Sequence, residues 1–139
     1  AAGIECMRVG TPPVLSLSAL DCALDVYADV DMLDIRQKSV ALCELFISEV
    51  EARCAELQLA SPRNADARGS QVSFRYDYGC SLIKALSVRG VIGDFRPPDI
   101  IRFGFTPLYH SYMDVFRAAE ILEETIPTGY HIQSNKGRS

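Results

Sequence analysis

Apolar residues recur at alternating spacings of three and four along one stretch of the chain: Val40, Cys43, Ile47, Val50, Cys54 and Leu57. Residues at these spacings lie on one face of an α-helix, whose turn takes 3.6 residues. We therefore expect a long amphipathic helix from about Met32 to about Leu57. A helix in a globular protein gains most of its stability by packing its apolar face, so the other segments are expected to cover this stripe.

The other segments predict three more helices and four short strands. The helices follow from apolar residues at helical spacing, and the strands follow from alternation or from short apolar runs between prolines and glycines. The expected helices cover residues 15–27, 78–89 and 111–125, and the expected strands cover residues 57–61, 71–75, 91–95 and 100–105. This order predicts an α+β fold (an α/β sandwich), in which helices cover a small, mostly antiparallel sheet.

The length of the chain predicts one domain, residues 1–139, with enough residues for a sizeable core. Within it we expect an extended entry segment over residues 1–14 and two long helices over residues 15–57. An α/β small domain is expected over residues 58–126, followed by a tail over residues 127–139.

Composition and charge argue against several classes of partner. Apolar residues make up 48% and charged residues 23% of the chain, and the formal net charge is −4. Nucleic acid is not expected as a partner because the chain has no block of basic residues. A membrane is not expected either, because no apolar run approaches the length that spans a bilayer. No metal site is expected, since His110 and His131 lack cysteine or acidic neighbours at ligand spacing.

The cysteines indicate a cytoplasmic setting. Their number, five, is odd, and their spacings fit neither a disulfide framework nor a zinc site. Cys43 and Cys54 fall on the apolar face of the long helix, where they are expected to be small buried hydrophobes. The N-terminus also lacks the basic-then-apolar layout of a signal peptide.

One cation interrupts the expected strand at residues 100–105, where Arg102 stands among isoleucines and phenylalanines. Because the run is short and bulky, we expect the strand to be mostly buried. Arginine keeps its charge in proteins, and a buried charge needs a partner. The partner is Asp94 or Asp99 if the pairing is structural, unless an edge strand lets Arg102 reach water. The other interpretation is a planar fork that binds a ligand carboxylate through two parallel hydrogen bonds.

Thr11 is a second candidate for a binding role. It precedes Pro12, which favours an extended or turn geometry and displays the threonine hydroxyl. On the residues alone, a solvent-facing loop threonine is the simpler interpretation, because most polar groups in loops are merely solvated.

The segment around Arg102 also carries a family resemblance. Residues 89–109, RGVIGDFRPPDIIRFGFTPLY, are similar to the C-terminal signature of kynureninase, a pyridoxal 5'-phosphate (PLP) enzyme of the aspartate-aminotransferase fold type. Residues 9–14 (VGTPPV) and 68–74 (RGSQVSF) agree with the same family. The resemblance runs from about Gly3 to about Glu124, and it covers the last third or so of a complete family member.

This resemblance implies an activity and two site residues. Kynureninases hydrolyse the Cβ–Cγ bond of L-kynurenine to anthranilate and L-alanine, and they work as homodimers in tryptophan catabolism. Arg102 matches the arginine of the family that binds the α-carboxylate of the substrate. Thr11 matches the residue that the family's dimers place near the cofactor phosphate and substrate of the partner subunit.

The lysine that holds PLP as an imine is not expected in this chain. Its lysines are Lys38, Lys84 and Lys136, and none of them matches the Tyr-Lys cofactor motif of the family. That motif belongs to a large domain upstream of the segment matched here. We therefore expect the chain of 139 residues to be inactive by itself.

Two alternatives remain open. The chain is a non-catalytic interaction or ligand-binding module derived from the small domain of a PLP enzyme, or it belongs to a related PLP enzyme such as a cysteine desulfurase. The agreement over residues 89–109 speaks against the second alternative. The presence of an upstream domain with a Tyr-Lys motif would separate kynureninase from the interaction module.

Overall fold

The fold is described by a computed structural model that covers residues 13–133 together with Gly3 and Gly10, and only the backbone of residues 127–133. The chain divides into two compact units, residues 1–34 and residues 35–139. The helix of the first unit contains no buried residue. Each unit is therefore described by itself.

The first unit contains helix α1, Val14–Leu24, which is followed by a short 3-10 turn at Asp25–Tyr27. The predicted helix over residues 15–27 is thus confirmed, with its last turn tightened. All leucines of α1 are exposed, and Leu15 retains 88% of its accessible surface. The predicted entry segment lies almost wholly outside the described residues.

The remaining helices are α2, Met32–Arg53; α3, Gly79–Val88; and α4, Tyr112–Gln133. The strands are β1, Gln58–Leu59; β2, Gln71–Arg75; β3, Asp94–Arg96; and β4, Ile100–Gly104. They form one sheet in the order β1-β2-β4-β3, in which all neighbouring strands are antiparallel. The predicted α+β fold with a small antiparallel sheet covered by helices is therefore confirmed.

The core lies between one face of this sheet and helices α2, α3 and α4. Phe46 of α2 is at its centre, fully buried, with edge-to-face ring contacts to Phe74 at 6.1 Å, Phe103 at 5.1 Å and Phe105 at 5.0 Å. Aromatic side chains contribute much of the apolar area that a core removes from water. A single helical phenylalanine thus joins β2, β4 and the residue after β4.

The predicted apolar stripe forms the part of this core that α2 contributes. α2 ends at Arg53, earlier than predicted, yet Cys54 and Leu57 just beyond it are still buried. Cys43 and Cys54 are buried thiols, as predicted. Burial raises the pKa of both thiols, and it raises the pKa of Cys54 to about 11.

Two glycines determine how the chain enters β3. Gly90, which follows α3, has a φ of +84°, the left-handed conformation that glycine commonly adopts just after a helix. Gly93 lies so close to the core that a β-carbon on it would stand 2.6 Å from Ile83 and 3.0 Å from Phe103. β3 begins only after this close approach, at Asp94, rather than at Val91 as predicted.

Helix α4 is longer than predicted. It continues to Gln133, so that residues 127–133, predicted as part of a tail, are helical. Pro127 lies inside this helix, where a proline removes one backbone hydrogen bond. The two residues before it, Thr125 and Ile126, are buried. Within the part of the chain that the structure describes, no helix is both long and apolar enough to cross a membrane.

We expect Phe46→Ala to lower the free energy of unfolding by about 3–5 kcal/mol, because it removes a fully buried ring and leaves a cavity. The matched control is Val88→Ala at a side chain that is 90% exposed, where the change should stay within about 0.5 kcal/mol. Urea unfolding followed by circular dichroism measures both. A loss below about 1 kcal/mol for Phe46→Ala would contradict the central place of this ring.

Candidate functional site

Arg102 lies at the middle of β4, between β2 and β3. Its direct cross-strand neighbours are Ser73 on β2 and Asp94 on β3. Side chains alternate between the two faces of a strand, so Ile101 and Phe103 enter the core while Arg102 stands on the opposite face. The sequence predicted that β4 is mostly buried. This prediction is wrong for the face that carries Arg102, because the Arg102 side chain keeps 30% of its surface exposed.

The structural partner of Arg102 is Asp94. Arg102 Nε donates to Asp94 Oδ2 at 3.0 Å, and Arg102 Nη2 donates to the same oxygen. Asp99, the other partner considered, instead accepts from Arg75 Nη1 at 3.3 Å. The open alternative between the two aspartates is thus resolved in favour of Asp94, which lies directly opposite in the register.

Arg96 joins the same pair. It is two residues after Asp94 on β3, and its Nε donates to Asp94 Oδ2 at 3.0 Å. Hydrogen bonding from Arg102, with the positive charges of Arg102 and Arg96, lowers the pKa of Asp94 below its ordinary value. We call Asp94, Arg96 and Arg102 the Arg102 cluster; two guanidinium groups and one carboxylate give it a net charge of +1.

The guanidinium of Arg102 keeps one edge without a partner. Asp94 occupies the edge formed by Nε and Nη2, and within the described residues Nη1 makes no hydrogen bond. Along β4 the next residue on the same face is Gly104, where an added β-carbon would meet open space. The edge formed by Nη1 and Nη2 can therefore accept a carboxylate in the two-bond geometry that arginine favours.

Only two of the other candidate residues, Lys38 and Lys84, lie within the described part of the chain. Thr11 and Lys136 lie outside the described residues. Lys38 donates through Nζ to the Pro107 carbonyl at 2.6 Å, and Lys84 is exposed on α3. Neither Lys38 nor Lys84 belongs to the strands that carry the Arg102 cluster.

Two features of the structure were not predicted from the sequence. Arg96 lies just beyond the predicted strand at residues 91–95, although its spacing of two from Asp94 places both side chains on one face of β3. A cleft of about 540 Å³ between α4 and the sheet was also not foreseen. Its lining includes Phe103, Phe105 and His110, and no short-range sequence signal could reveal it, because these residues meet only through tertiary packing.

The fold and the cluster define a class of protein domain: a small α+β domain whose sheet carries, on the face opposite the core, a guanidinium that has no partner at Nη1 within the described residues. The family described as "Kynureninase C-terminal domain" matches residues 35–122. This match covers well over half of the chain and includes the whole Arg102 cluster. The chain belongs to the kynureninase C-terminal domain family.

Curated relatives agree with this assignment. A kynureninase of Burkholderia mallei (strain SAVP1) is 48% identical over 128 residues, which are 91% of this chain and 31% of that protein. A kynureninase of Pseudomonas fluorescens is 51% identical over 126 residues, which are 89% of this chain and 30% of that protein. The chain thus spans about a third of the length of the relatives that it matches.

The lowered pKa of Asp94 predicts a pH-dependent contribution to stability. A carboxyl group whose pKa is lower in the folded state stabilises the fold above its unfolded pKa, and this contribution is lost as the pH falls through the folded pKa. We expect Asp94→Asn to lose stability near neutral pH and to lose less than the wild type on acidification from about pH 6 to about pH 3.

Urea unfolding midpoints at these two pH values measure the effect. The matched control is Asp77→Asn, which changes an exposed aspartate outside the cluster and leaves the pair of Asp94 with Arg102 in place. Identical acid dependence in the wild type and in Asp94→Asn would contradict the pairing with Arg102.

Proposed function

We propose that the chain is the C-terminal part of a kynureninase, whose complete form hydrolyses L-kynurenine to anthranilate and L-alanine with PLP. The observation that carries this proposal is the partly free guanidinium of Arg102 in a domain of this family. The complete protein is proposed to be a cytoplasmic homodimer of tryptophan catabolism. The large domain that holds the cofactor corresponds to the part of the relatives that this chain does not match.

Arg102 is proposed to bind the α-carboxylate of the substrate. The residues on either side of it, Ile101 and Phe103, are anchored in the core, so the strand holds the guanidinium at a fixed place. Two parallel hydrogen bonds to a carboxylate fix the orientation as well as the position of the amino-acid end of kynurenine. Such positioning accelerates a reaction because the reacting bond is held in the geometry of attack.

The cofactor chemistry is assigned to the rest of the enzyme. PLP supplies an electron sink for reactions at amino-acid carbons. Lys38, whose ammonium donates to a backbone carbonyl, and Lys84, exposed on α3, do not suit an imine with it. Thr11 is proposed to lie near the cofactor phosphate of the partner subunit, as its family position implies.

The alternative function is a non-catalytic interaction or ligand-binding module. It is favoured by the absence of a suitable lysine among the described residues and by the exposed leucines of α1. Exposed apolar surface of this kind is typical of contact with another protein. A kynureninase fragment and an interaction module differ in one respect, which is whether joining the chain to a large domain restores hydrolysis of kynurenine.

We therefore expect activity from a Pseudomonas fluorescens kynureninase whose C-terminal third is replaced by this chain. In this chimera, Arg102→Ala should lower kcat/KM for kynurenine by about 2–5 kcal/mol, which is on the order of 30- to 4000-fold, because the substrate carboxylate loses its partner. Arg102→Lys keeps the charge without the fork, and its loss should be smaller but at least about tenfold.

The matched control is Arg75→Ala, which removes an ion-paired arginine from the same face of the sheet. Its kcat/KM should stay within about twofold of the unsubstituted chimera, since exposed ion pairs contribute little. Thermal unfolding is measured in parallel. Loss of stability with unchanged kcat/KM per folded molecule in Arg102→Ala would assign Arg102 to a structural role. A folded, PLP-loaded chimera without any activity would favour the interaction module.

We also expect the 139-residue chain alone to form no stable imine with PLP. A stable imine needs an amine that a site holds against the cofactor, whereas the Lys38 Nζ donates to the Pro107 carbonyl and Lys84 is exposed on α3. Borohydride reduction followed by peptide mass spectrometry measures the outcome. Stoichiometric labelling of Lys38 or Lys84 would contradict the assignment of the cofactor to a missing large domain. The control is Lys84→Arg, whose remaining labelling shows how much of the signal comes from other surface lysines.

A further inference from the structure

We propose that Asp94 is a positioning residue, which acts through Arg102 by holding one edge of its guanidinium so that the other edge faces the substrate carboxylate. This inference rests on the proposed function of Arg102. Neither the motif nor the comparisons assign a role to Asp94. The proposal follows from the register, the hydrogen bonds and the charge of the cluster.

The backbone of Asp94 is fixed by the residue that precedes it. Gly93 packs so closely that an added β-carbon would stand 2.6 Å from Ile83 and 3.2 Å from the Arg102 carbonyl oxygen. Asp94 then pairs with Arg102 in the antiparallel register of β3 and β4. Directly opposite residues in such a pair place their side chains together on one face, so the carboxylate has little freedom to leave Arg102.

The hydrogen bonds leave a defined set of donors. A guanidinium carries five N–H groups in a rigid plane. Asp94 Oδ2 accepts the Nε hydrogen and one hydrogen of Nη2, and no other described residue takes the second hydrogen of Nη2 or either hydrogen of Nη1. One hydrogen from each of these nitrogens points along the outer edge, which is the arrangement that a carboxylate accepts with two parallel bonds.

The charges keep the cluster attractive to an anion. Asp94 Oδ2 is shared with Arg96, whose side chain is 61% exposed, so the cluster retains a net positive charge after the internal pairing. A substrate carboxylate would neutralise this remaining charge. Asp94 therefore orients the guanidinium without cancelling its attraction for the substrate.

Orientation and electrostatics predict opposite effects of Asp94→Asn. The substitution raises the net charge of the cluster by one, so a purely electrostatic role for Asp94 predicts tighter substrate binding and a lower KM. A positioning role predicts a lower kcat/KM, because a guanidinium that can rotate loses the bound geometry. The sign of the change in kcat/KM therefore separates the two.

The test is a double-mutant cycle in the chimera described above, with kcat/KM for kynurenine and thermal unfolding measured for each variant. We expect Asp94→Asn to lower kcat/KM by about tenfold in the Arg102 background and by less than about twofold in the Arg102→Ala background. Asp99→Asn is the matched control, because Asp99 pairs with Arg75 rather than with Arg102, and it should leave kcat/KM within about twofold.

Each outcome bears on a different claim. If Arg102→Ala lowers kcat/KM while Asp94→Asn leaves it unchanged or raises it, the positioning role is overturned and the proposed function stands. Equal losses from Asp94→Asn in both backgrounds also overturn it, because Asp94 would then act independently of Arg102. If Arg102→Ala has no effect, the proposed function of Arg102 fails first, and the positioning role fails with it.

A second variant covers the case in which Asp94→Asn does not fold. Asp94→Glu keeps the charge but moves the carboxylate by one methylene group. The expected result is a several-fold loss of kcat/KM, since the Nε–Nη2 edge can no longer be held in the same place. Wild-type kcat/KM in a folded Asp94→Glu enzyme would overturn the proposal.

Discussion

The alternation of β4 is the constraint on which both the core and the site depend. Ile101 and Phe103 enter the core on one side, and Arg102, between them, stands on the other. β4 lies between two other strands, so its position is fixed by backbone hydrogen bonds on both edges. A shift of one residue in register would place the guanidinium in the core and two large apolar side chains on the open face.

Stability and binding are therefore carried by different faces of the same sheet. The core face holds the contacts of Phe46 with three other rings, and aromatic side chains remove large apolar areas from water. The Arg102 cluster is partly exposed, and ion pairs at such sites are screened by water and salt. Its main consequence is geometric, since two hydrogen bonds fix the plane of a guanidinium whose remaining edge is available to a ligand.

Much of the fold could be predicted from the sequence because its signals are periodic and local. The stripe of Val40 to Leu57 predicted α2, alternation predicted β2 at residues 71–75, and apolar residues at helical spacing predicted α3. Other features depend on tertiary contacts. β3 begins late because Gly93 packs against Ile83, and Asp94 rather than Asp99 pairs with Arg102 because the register places it opposite.

The candidate site was predicted only in part. The sequence predicts that Arg102 needs an anionic partner, and Asp94 is one; it also predicts a mostly buried strand, because the residues around Arg102 are bulky and apolar. In the sequence, Ile100, Arg102 and Gly104 alternate with Ile101 and Phe103. This alternation places the first three residues on one face of the strand, which is less buried than the other face. Thr11 stays a prediction, since it lies outside the described residues.

The most direct measurement is a crystal structure of the chimeric kynureninase with a non-reacting kynurenine analogue that keeps the α-carboxylate. The account predicts Arg102 Nη1 and Nη2 at about 2.7–2.9 Å from the two carboxylate oxygens, with Nε still on Asp94. A carboxylate bound elsewhere, with Arg102 bonded to Asp94 alone, would contradict it.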